Sequence, residues 1–422
     1  MEKNVYIGKD ILPPLNKIRR SFSDKKIINI EEEFRKQIVK IGIKINKNAR
    51  IAIAVGSRGI SNIDIIVKIT VDYVKRMGGC PFIVPAMGSH GGATAKGQKE
   101  ILEGYGITET FIDAKIESSM EVIELDSHDF CHKIFMDKKA YNADGIIIIN
   151  RIKSHTDFDG KTESGLLKMC VIGLGKDHMA REIHRYGVYG LRELIPKAAL
   201  KVLKECNILM GIGIMENCYG QTSIIRAIEP KNILREEKEM LKKYKKNTQT
   251  LPFKSIDVLI IDEMGKDICG IGLDPEVVGR KYIKKQKEPK YPKIRNIIVS
   301  DLTEKTQGNS IGMGLADFIT KKFYNKINFK STYENVVTST FMERGKMPIV
   351  AETTKEAVEF AFKTLNPHMN NEPTVVRIKN TSKLDEMYVS DSLMKKLEKV
   401  ENIELLSHMD IIFDENGEPL KF

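Results

Sequence analysis

The sequence predicts an α/β protein of two domains with largely parallel sheets that face a central cleft. Short, unbroken apolar runs at 51–55 and 146–149, and a run at 256–261 that only Asp257 interrupts, are typical of strands buried on both faces of a parallel sheet. Segments with helical spacing of apolar residues alternate with these runs. The chain has 422 residues, which is room for two domains or one large α/β unit, and its 41% of hydrophobic and 30% of charged residues are enough for a sizeable core.

The first half opens with a strand–helix–strand unit. A helix over 30–41 precedes it, and a strand over 50–55 leads into a helix whose apolar residues Ile63, Ile66, Val67 and Val74 share one face. Glycines at 78–79 end that helix, and the next strand covers 81–85. A strand that returns beside its predecessor after a helix implies a parallel sheet. Further on we expect a strand at 146–149, a helix over 191–205, a strand over 208–215 and a charged helix over 232–247.

The second half begins after a short linker at 248–252, so we place an N-terminal domain at 1–250 and a smaller C-terminal domain at 251–422. It starts with the strand at 256–261. The other elements expected there are a strand at 296–299, a helix at 311–321 opened by Gly308-Asn309-Ser310, a helix at 353–364, a strand at 374–378, a helix at 392–400 and a final strand at 411–413.

The net charge of +11 raises the possibility of a nucleic-acid partner. The lysines are spread along the chain, however, and no basic stripe alternates with aromatic residues as in a single-strand binding groove. A lysine-rich background composition explains the charge better. We therefore expect a small-molecule substrate and no nucleic-acid partner.

The cysteines, the apolar runs and the N-terminus bear on cellular location. None of the six cysteines forms a C-x-x-C pair, which argues against a structural zinc site or an iron–sulfur cluster and suits a reducing compartment. No apolar run approaches the roughly 18 residues of a membrane span, and the N-terminus lacks an apolar signal core. The expectation is a cytoplasmic protein without a membrane partner.

Polar side chains with reactive chemistry follow several predicted strands. Ligands bind open α/β sheets at the carboxyl ends of their strands, so these side chains are the candidates for a site. They are Arg58, His90, His155, Lys168 and His184 in the first half and Lys266 in the second. Histidines can serve as general acid and base or as metal ligands, an arginine can grip a carboxylate, and a desolvated lysine can act as a nucleophile.

Two of these candidates, His90 and Lys168, also have a simpler interpretation. The loop Gly88-Ser89-His90-Gly91-Gly92 could be a tight turn with a surface histidine, although Thr94 and the helix after it would favour an anion beside His90. Lys168, between Leu167 and Met169, could be an amphipathic lysine on a half-buried helix. His128 and His132 are four residues apart, as in some metal sites, but their surroundings favour a strand and a turn.

Taken in order, these residues resemble the nickel-dependent lactate racemase family. Gly88-Ser89-His90 is similar to the family's loop with one catalytic histidine, and His155 resembles the second. Lys168 resembles the lysine that holds the cofactor covalently, and His184 lies at the interval expected of the nickel ligand. Ser57-Arg58 is similar to a strand-end turn with the substrate-binding arginine, with Ser57 on the cofactor side. Lys266 is the candidate for a substrate-binding lysine of the second domain.

The resemblance covers roughly residues 50–187 and implies an isomerase. Its cofactor would be a nickel-pincer nucleotide, pyridinium-3,5-bisthiocarboxylic acid mononucleotide nickel, made by separate cofactor-synthesis proteins. The implied reaction is racemisation or epimerisation of a 2-hydroxy acid by reversible hydride transfer, with His90 and His155 as acid and base on opposite sides of the substrate.

The chain departs from the family at three points. Val55 stands where an aspartate is common, the segment 158–165 is longer than its counterpart, and the chain has no tryptophan where lactate racemisation uses one. The polar residues Asp159, Lys161 and Glu163 suggest a larger or more polar 2-hydroxy acid than lactate.

Two other functions are compatible with the sequence. A nucleotide-binding oxidoreductase is one, but Gly56-Ser57-Arg58-Gly59-Ile60-Ser61 does not fit the G-x-G-x-x-G phosphate loop. A non-catalytic protein that binds an anion or a nucleotide is the other. It would leave three histidines near strand ends unexplained.

Overall fold

The computed structural model describes residues 12–57, 59–126, 132–365, 372–398, 400, 402–409, 413–418, 420 and 422. The chain divides into two compact units. We call Ser23–Thr248 the central unit, since it occupies the middle of the sequence, and Met1–Phe22 with Gln249–Phe422 the terminal unit. Each is a mixed α/β structure with a largely parallel sheet, as the sequence predicts.

The strands are β1 (Leu15–Arg20), β2 (Arg50–Val55), β3 (Cys80–Pro85), β4 (Lys115–Ile116), β5 (Val122–Leu125), β6 (Ile134–Asp137), β7 (Gly145–Arg151), β8 (Ile208–Glu216), β9 (Thr222–Ile228), β10 (Ser255–Met264), β11 (Lys293–Leu302), β12 (Phe318–Thr320), β13 (Ile349–Ala351), β14 (Val375–Ile378), β15 (Glu386–Ser390) and β16 (Ile403–Met409).

The α-helices are α1 (Ile30–Ile41), α2 (Ile63–Arg76), α3 (Ala95–Gly104), α4 (Glu109–Ile112), α5 (Lys138–Tyr141), α6 (Leu166–Lys168), α7 (Lys176–His184), α8 (Gly187–Tyr189), α9 (Ile195–Glu205), α10 (Ile233–Asn247), α11 (Pro275–Val278), α12 (Lys321–Asn325), α13 (Phe329–Ser339), α14 (Thr354–Lys363) and α15 (Asp391–Leu397). Two π-helical segments, Met169–Gly173 and Gly190–Leu194, continue α6 and α8.

The sheet of the central unit has six strands in the order β4-β3-β2-β7-β8-β9. Neighbouring strands are parallel except for the antiparallel pair β8 and β9. The chain runs from β2 to β3 and β4 on one side and then continues through β7 on the other side of β2. The order therefore reverses between β2 and β7, and such a switch point is where open α/β sheets bind ligands.

Apolar side chains bury this sheet on both faces. Ile51, Ile53 and Val55 of β2 and Ile147 and Ile149 of β7 lie in one core with the apolar face of α2. The alternate residues of the same strands are equally buried, which explains why the strands read as unbroken apolar runs.

The terminal unit has an eight-stranded sheet in the order β13-β12-β11-β10-β14-β15-β1-β16. Five neighbouring strands of this sheet are parallel, namely β13, β12, β11, β10 and β14. The strands β15, β1 and β16 follow β14, and each is antiparallel to the strand before it. β1 pairs with β15 and β16, so backbone hydrogen bonds tie the N-terminal segment to this sheet. The sequence-based division had grouped that segment with the first half, because local periodicity cannot reveal a pairing across more than 360 residues.

One predicted element of the terminal unit is wrong. The segment 311–321 contains a short 3₁₀ turn at Met313–Leu315 and the strand β12, and α12 begins only at Lys321. Phe318 and Ile319 pair in parallel with β11 and β13 on either side. This tertiary pairing overrides the local helical spacing. The strand expected at 411–413 falls largely outside the described residues, as does His128.

The helices of the described residues include none that combines the length and apolar character required to cross a membrane.

Candidate active site

The candidate side chains of the central unit follow three adjacent strands. Ser57 comes after β2, His90 after β3 and His155 after β7, and β2 lies between the other two. Val55 pairs with Pro85 on one side and with Ile149 on the other, so all three strands end at the same edge. Neighbouring strands are about 4.8 Å apart, which places the starts of the two histidine loops about 10 Å from each other.

Ser57 and His90 are in direct contact. The Ser57 hydroxyl meets Nδ1 of His90, and the Tyr105 hydroxyl donates to the Ser57 carbonyl at 2.7 Å. The Gln98 amide donates to the carbonyls of Gly88 and His90 at 2.9 and 3.2 Å and so fixes the backbone of the His90 loop. His90 is exposed, and the hydroxyl at Nδ1 fixes the orientation of its ring.

The His90 loop packs against the segment that follows Lys168. Gly88 has φ of 60°, and a Cβ there would lie 2.9 Å from Cγ2 of Ile172. The Gly88 N–H donates to the Gly173 carbonyl at 3.3 Å. Glycine at position 88 is thus required by backbone conformation and by a close approach to the π-helical segment.

His155 and Lys168 form a second contact. Nζ of Lys168 lies 2.7 Å from Nε2 of His155. Lys168 is half-buried at the end of α6, where the helix changes to the π-helical segment Met169–Gly173. Single π turns inside helices occur often at functional sites. Only one proton can lie in this contact, so either the ammonium donates to Nε2 or an Nε2–H donates to a neutral amine.

The surroundings of His155 favour a neutral imidazole. The Asp157 N–H donates to Nδ1 at 3.2 Å, and the ring of Phe158 packs at a centroid distance of 4.8 Å. Burial, together with the nearby charge of Lys168, holds the pKa of His155 well below its ordinary value of 6.5. The Asp157 carboxylate, 3.7 Å from Nδ1, opposes this shift without reversing it. An imidazole that is neutral at physiological pH can accept a proton.

His184, at the end of α7, completes this group. Its Nδ1 is buried and makes no hydrogen bond. Burial lowers the pKa of His184, and the positive charge of Lys168 lowers it further. His155, Lys168 and His184 therefore lie within electrostatic range of one another, although 29 residues separate the first from the last. A buried polar atom without a partner in a native fold calls for an explanation, and a missing metal or ligand is one.

Two acidic residues support this group through backbone N–H groups, a role that the sequence predicts for neither. Glu163 is buried and accepts from the N–H groups of His155 and Gly160 at 2.7 and 2.9 Å. Glu237 is buried on α10 and accepts from the Leu167 N–H at 2.9 Å. Glu163 was expected to contribute to a polar substrate site, whereas its carboxylate is occupied within the loop. The only sequence signal for Glu237 is its spacing: it lies three and four residues before Met240 and Leu241, on the apolar face of an otherwise charged helix.

The other candidates are placed as follows. Arg58 lies outside the described residues. Lys266 belongs to the terminal unit, where it follows β10 and its ammonium donates to Oδ1 of Asn335. Across the described ranges, no three side chains of histidine, cysteine, aspartate or glutamate come together as a metal site. If His184 binds a metal, a cluster of described histidine, cysteine, aspartate or glutamate side chains does not supply the other ligands.

Comparisons with known proteins agree with the fold. The model of a family described as a domain of unknown function, DUF362, matches residues 43–232. No curated protein matches the chain. The structure is similar to that of the lactate racemase apoprotein from Thermoanaerobacterium thermosaccharolyticum, with a TM-score of 0.51 and 11% sequence identity. The similarity covers 87% of this chain and 99% of that chain, so the chain has a lactate-racemase-like fold.

Proposed function

We propose that the protein is a racemase or epimerase of a 2-hydroxy acid that uses a nickel-pincer nucleotide. The observation that carries the proposal is the group of His155, Lys168 and His184. An amine lies 2.7 Å from an imidazole, a second buried imidazole keeps a nitrogen open, and the group stands beside the switch point of a sheet with a lactate-racemase-like fold.

The residues of this group fit the cofactor. Lys168 would hold the nucleotide covalently, because its amine lies in a partly desolvated position beside a neutral imidazole. His184 would bind nickel through its open Nδ1, since imidazole is a good ligand for that metal. A single protein ligand is enough if the nucleotide supplies the rest, which agrees with the absence of a three-residue cluster among the described side chains. When bound, the cofactor supplies a hydride acceptor.

The chain itself supplies the proton transfers. The lowered pKa of His155 favours a neutral imidazole, which can take the proton from the substrate hydroxyl. His90, whose ring is oriented by the Ser57 hydroxyl at Nδ1, would serve as the second acid or base. The two imidazoles come from loops that start about 10 Å apart, on opposite sides of β2, so they can approach a substrate from different directions. One base on each side is what a reaction that starts from either enantiomer requires.

The substrate is proposed only as a class. Glu163 is occupied by backbone N–H groups and Lys245, so it does not argue for a polar substrate. Asp159 and Lys161 are exposed and stay the basis of that prediction. Arg58, Ser57 and Lys266 keep the substrate and cofactor roles that the resemblance implies, as parts of the proposal.

The test is a panel of single-enantiomer 2-hydroxy acids incubated with protein co-expressed with cofactor-synthesis proteins, followed by chiral chromatography. The proposal expects one acid to become a mixture of enantiomers or epimers in a reaction that His90→Ala abolishes. Oxidation of the acid without inversion would favour the oxidoreductase. A cofactor-loaded protein that converts no acid of the panel would contradict the proposal.

A further inference from the structure

Helix α10 contributes side chains to both halves of the His155–Lys168 pair. Glu237 reaches the start of the helix that carries Lys168, and Lys245 reaches the loop that carries His155. The two residues are eight positions apart, about 12 Å along the helix axis. The family match ends at residue 232, one residue before α10 begins.

Glu237 fixes the start of α6. Its Oε2 accepts from the Leu167 N–H at 2.9 Å, and a Cβ at Gly165 would lie 2.5 Å from its carboxylate carbon. The Asn150 amide donates to the Gly165 carbonyl at 2.8 Å from the end of β7. Because α6 is a single turn that ends at Lys168, a shift of its first N–H groups moves the lysine.

Lys245 acts through Glu163. Its ammonium donates to Oε1 of Glu163 at 2.5 Å, and Oε2 of the same carboxylate accepts from the His155 N–H at 2.7 Å. A backbone bridge between Lys153 and Ser164 closes the loop behind them. Glu163 thus links the backbone of His155 to α10.

The arrangement at Glu237 is costly for stability alone. Its Oε1 is buried without a hydrogen-bond partner, and burial raises the pKa of the carboxyl to about 7. A serine or an asparagine could satisfy a helix N–H without burying an ionisable group. Features that cost stability in an otherwise consistent fold concentrate at functional sites.

We infer that Glu237 and Lys245 are positioning residues that set the contact between Lys168 and His155. The inference concerns the geometry of the pair and rests on the proposed function only for its effect on turnover. The cofactor-free protein can therefore test it.

The experiment measures the ring ¹⁵N chemical shifts of His155 at a fixed pH of about 7.5, where a neutral imidazole reports its tautomer and hydrogen bonds. The full-length protein is compared with Glu237→Ala and Lys245→Met. Matched controls are Glu239→Gln and Lys246→Met, which remove the same charges from exposed positions of α10. Rescue variants are Glu237→Gln, which keeps an acceptor, and Lys245→Arg, which keeps a cation.

We expect the His155 signals to move in both test variants toward those of an imidazole that exchanges between tautomers, and to stay in place in both controls. The rescue variants should bring the His155 signals most of the way back to their wild-type positions. Wild-type His155 signals in a folded Glu237→Ala protein would overturn the role of Glu237, even if its unfolding temperature falls. If Glu237→Ala does not fold, Glu237→Gln and Glu237→Asp decide, since only the longer side chain keeps the reach to Leu167. Unchanged signals in Lys245→Met would overturn the role of Lys245.

Turnover separates this inference from the proposed function. In a cofactor-loaded protein that racemises its substrate, the test variants should lower kcat more than they change KM, because the substrate contacts are kept. If the wild-type protein racemises nothing, the proposed function fails, and the ¹⁵N shifts still decide whether α10 positions the pair.

Discussion

The carboxyl ends of the two parallel sheets differ in how their polar groups are satisfied. In the terminal unit, Asp262 lies in the second half of β10, and its carboxylate accepts two 2.8 Å hydrogen bonds from Arg377. The Lys266 ammonium donates to Oδ1 of Asn335. In the central unit, Nδ1 of His184 and Oε1 of Glu237 are buried without a hydrogen-bond partner. The terminal unit also has such an atom, Oγ of Ser300 on β11, so an open polar atom alone does not separate the two units. In the central unit, however, the open atoms lie around an amine–imidazole pair.

The comparison teaches that strand-end position alone does not identify a site. Burial raises the pKa of Asp262 even though Arg377 opposes the shift, so a perturbed carboxyl also occurs in a fully paired structural interaction. What distinguishes the central unit is the convergence of a lowered histidine pKa, a lysine in contact and an open imidazole nitrogen.

The largest expected effect is on catalysis in the central unit. His155→Ala should lower kcat by a factor of about 10² to 10⁴, the usual contribution of a general acid or base. The matched control is His408→Ala in the terminal unit, where the imidazole meets Oδ1 of Asn16 at 3.0 Å. Chiral chromatography of the cofactor-loaded proteins measures both. Equal rates in the two variants would remove the distinction between the units.

In the terminal unit the expected effect is on stability. Arg377→Met removes a buried guanidinium from the half-buried Asp262 and should lower the free energy of unfolding by about 3 kcal/mol, the low end of the range for breaking a buried pair. The control Arg19→Met breaks an exposed pair with Glu386 and should leave the denaturation midpoint nearly unchanged. Urea denaturation measures the two. A fully stable Arg377→Met protein would show that this pair does not hold the sheet together.

Most of the fold of the central unit was predictable because its information is local. Buried parallel strands read as apolar runs, α1 covers the expected residues, and α3 begins after the expected Thr94 cap. The strand β12 and the pairing of β1 with β15 and β16 were not predictable, since both depend on partners far away in the sequence.

The site was predictable only in part. The order of Arg58, His90, His155, Lys168 and His184 suggested a site. Arg58 lies outside the described residues, and the structure brings its neighbour Ser57 to His90 and Lys168 to His155. Glu163, Glu237 and Lys245 act through backbone N–H groups and each other, and no spacing rule identifies such contacts. The contact of Lys266 with Asn335 in the terminal unit likewise depends on residues that are 69 positions apart.

The buried carboxyl of Glu237 should give the stability a specific pH dependence. Its pKa is about 7 in the folded chain and 4.5 ordinarily, so between these values the folded chain holds a proton that the unfolded chain has released. The free energy of unfolding should therefore fall by about 3 kcal/mol as the pH rises from about 4.5 to 7. Glu237→Gln should remove this decrease. Urea titrations at several pH values measure the free energy of unfolding of both proteins. If it changes with pH in the same way in the variant and the wild type, Glu237 is not the source of the pH dependence.

A smaller effect is expected at the glycine beside Glu237. Gly165→Ala places a Cβ 2.5 Å from the Glu237 carboxylate carbon and should lower the free energy of unfolding by about 1–3 kcal/mol. Gly104→Ala is the control, since a Cβ there meets nothing within 4 Å. Thermal denaturation at constant pH measures both. If Gly165→Ala is as stable as the control, the Glu237 carboxylate can move away from residue 165 without lowering the free energy of unfolding.

The most direct test of the central claim is intact-mass and metal analysis of the protein co-expressed with cofactor-synthesis proteins. The claim predicts an adduct that peptide mapping places on Lys168, together with nickel in wild-type protein and a loss of nickel in His184→Ala. An unmodified mass without nickel in the wild-type protein, or an adduct on a lysine other than Lys168, would contradict it.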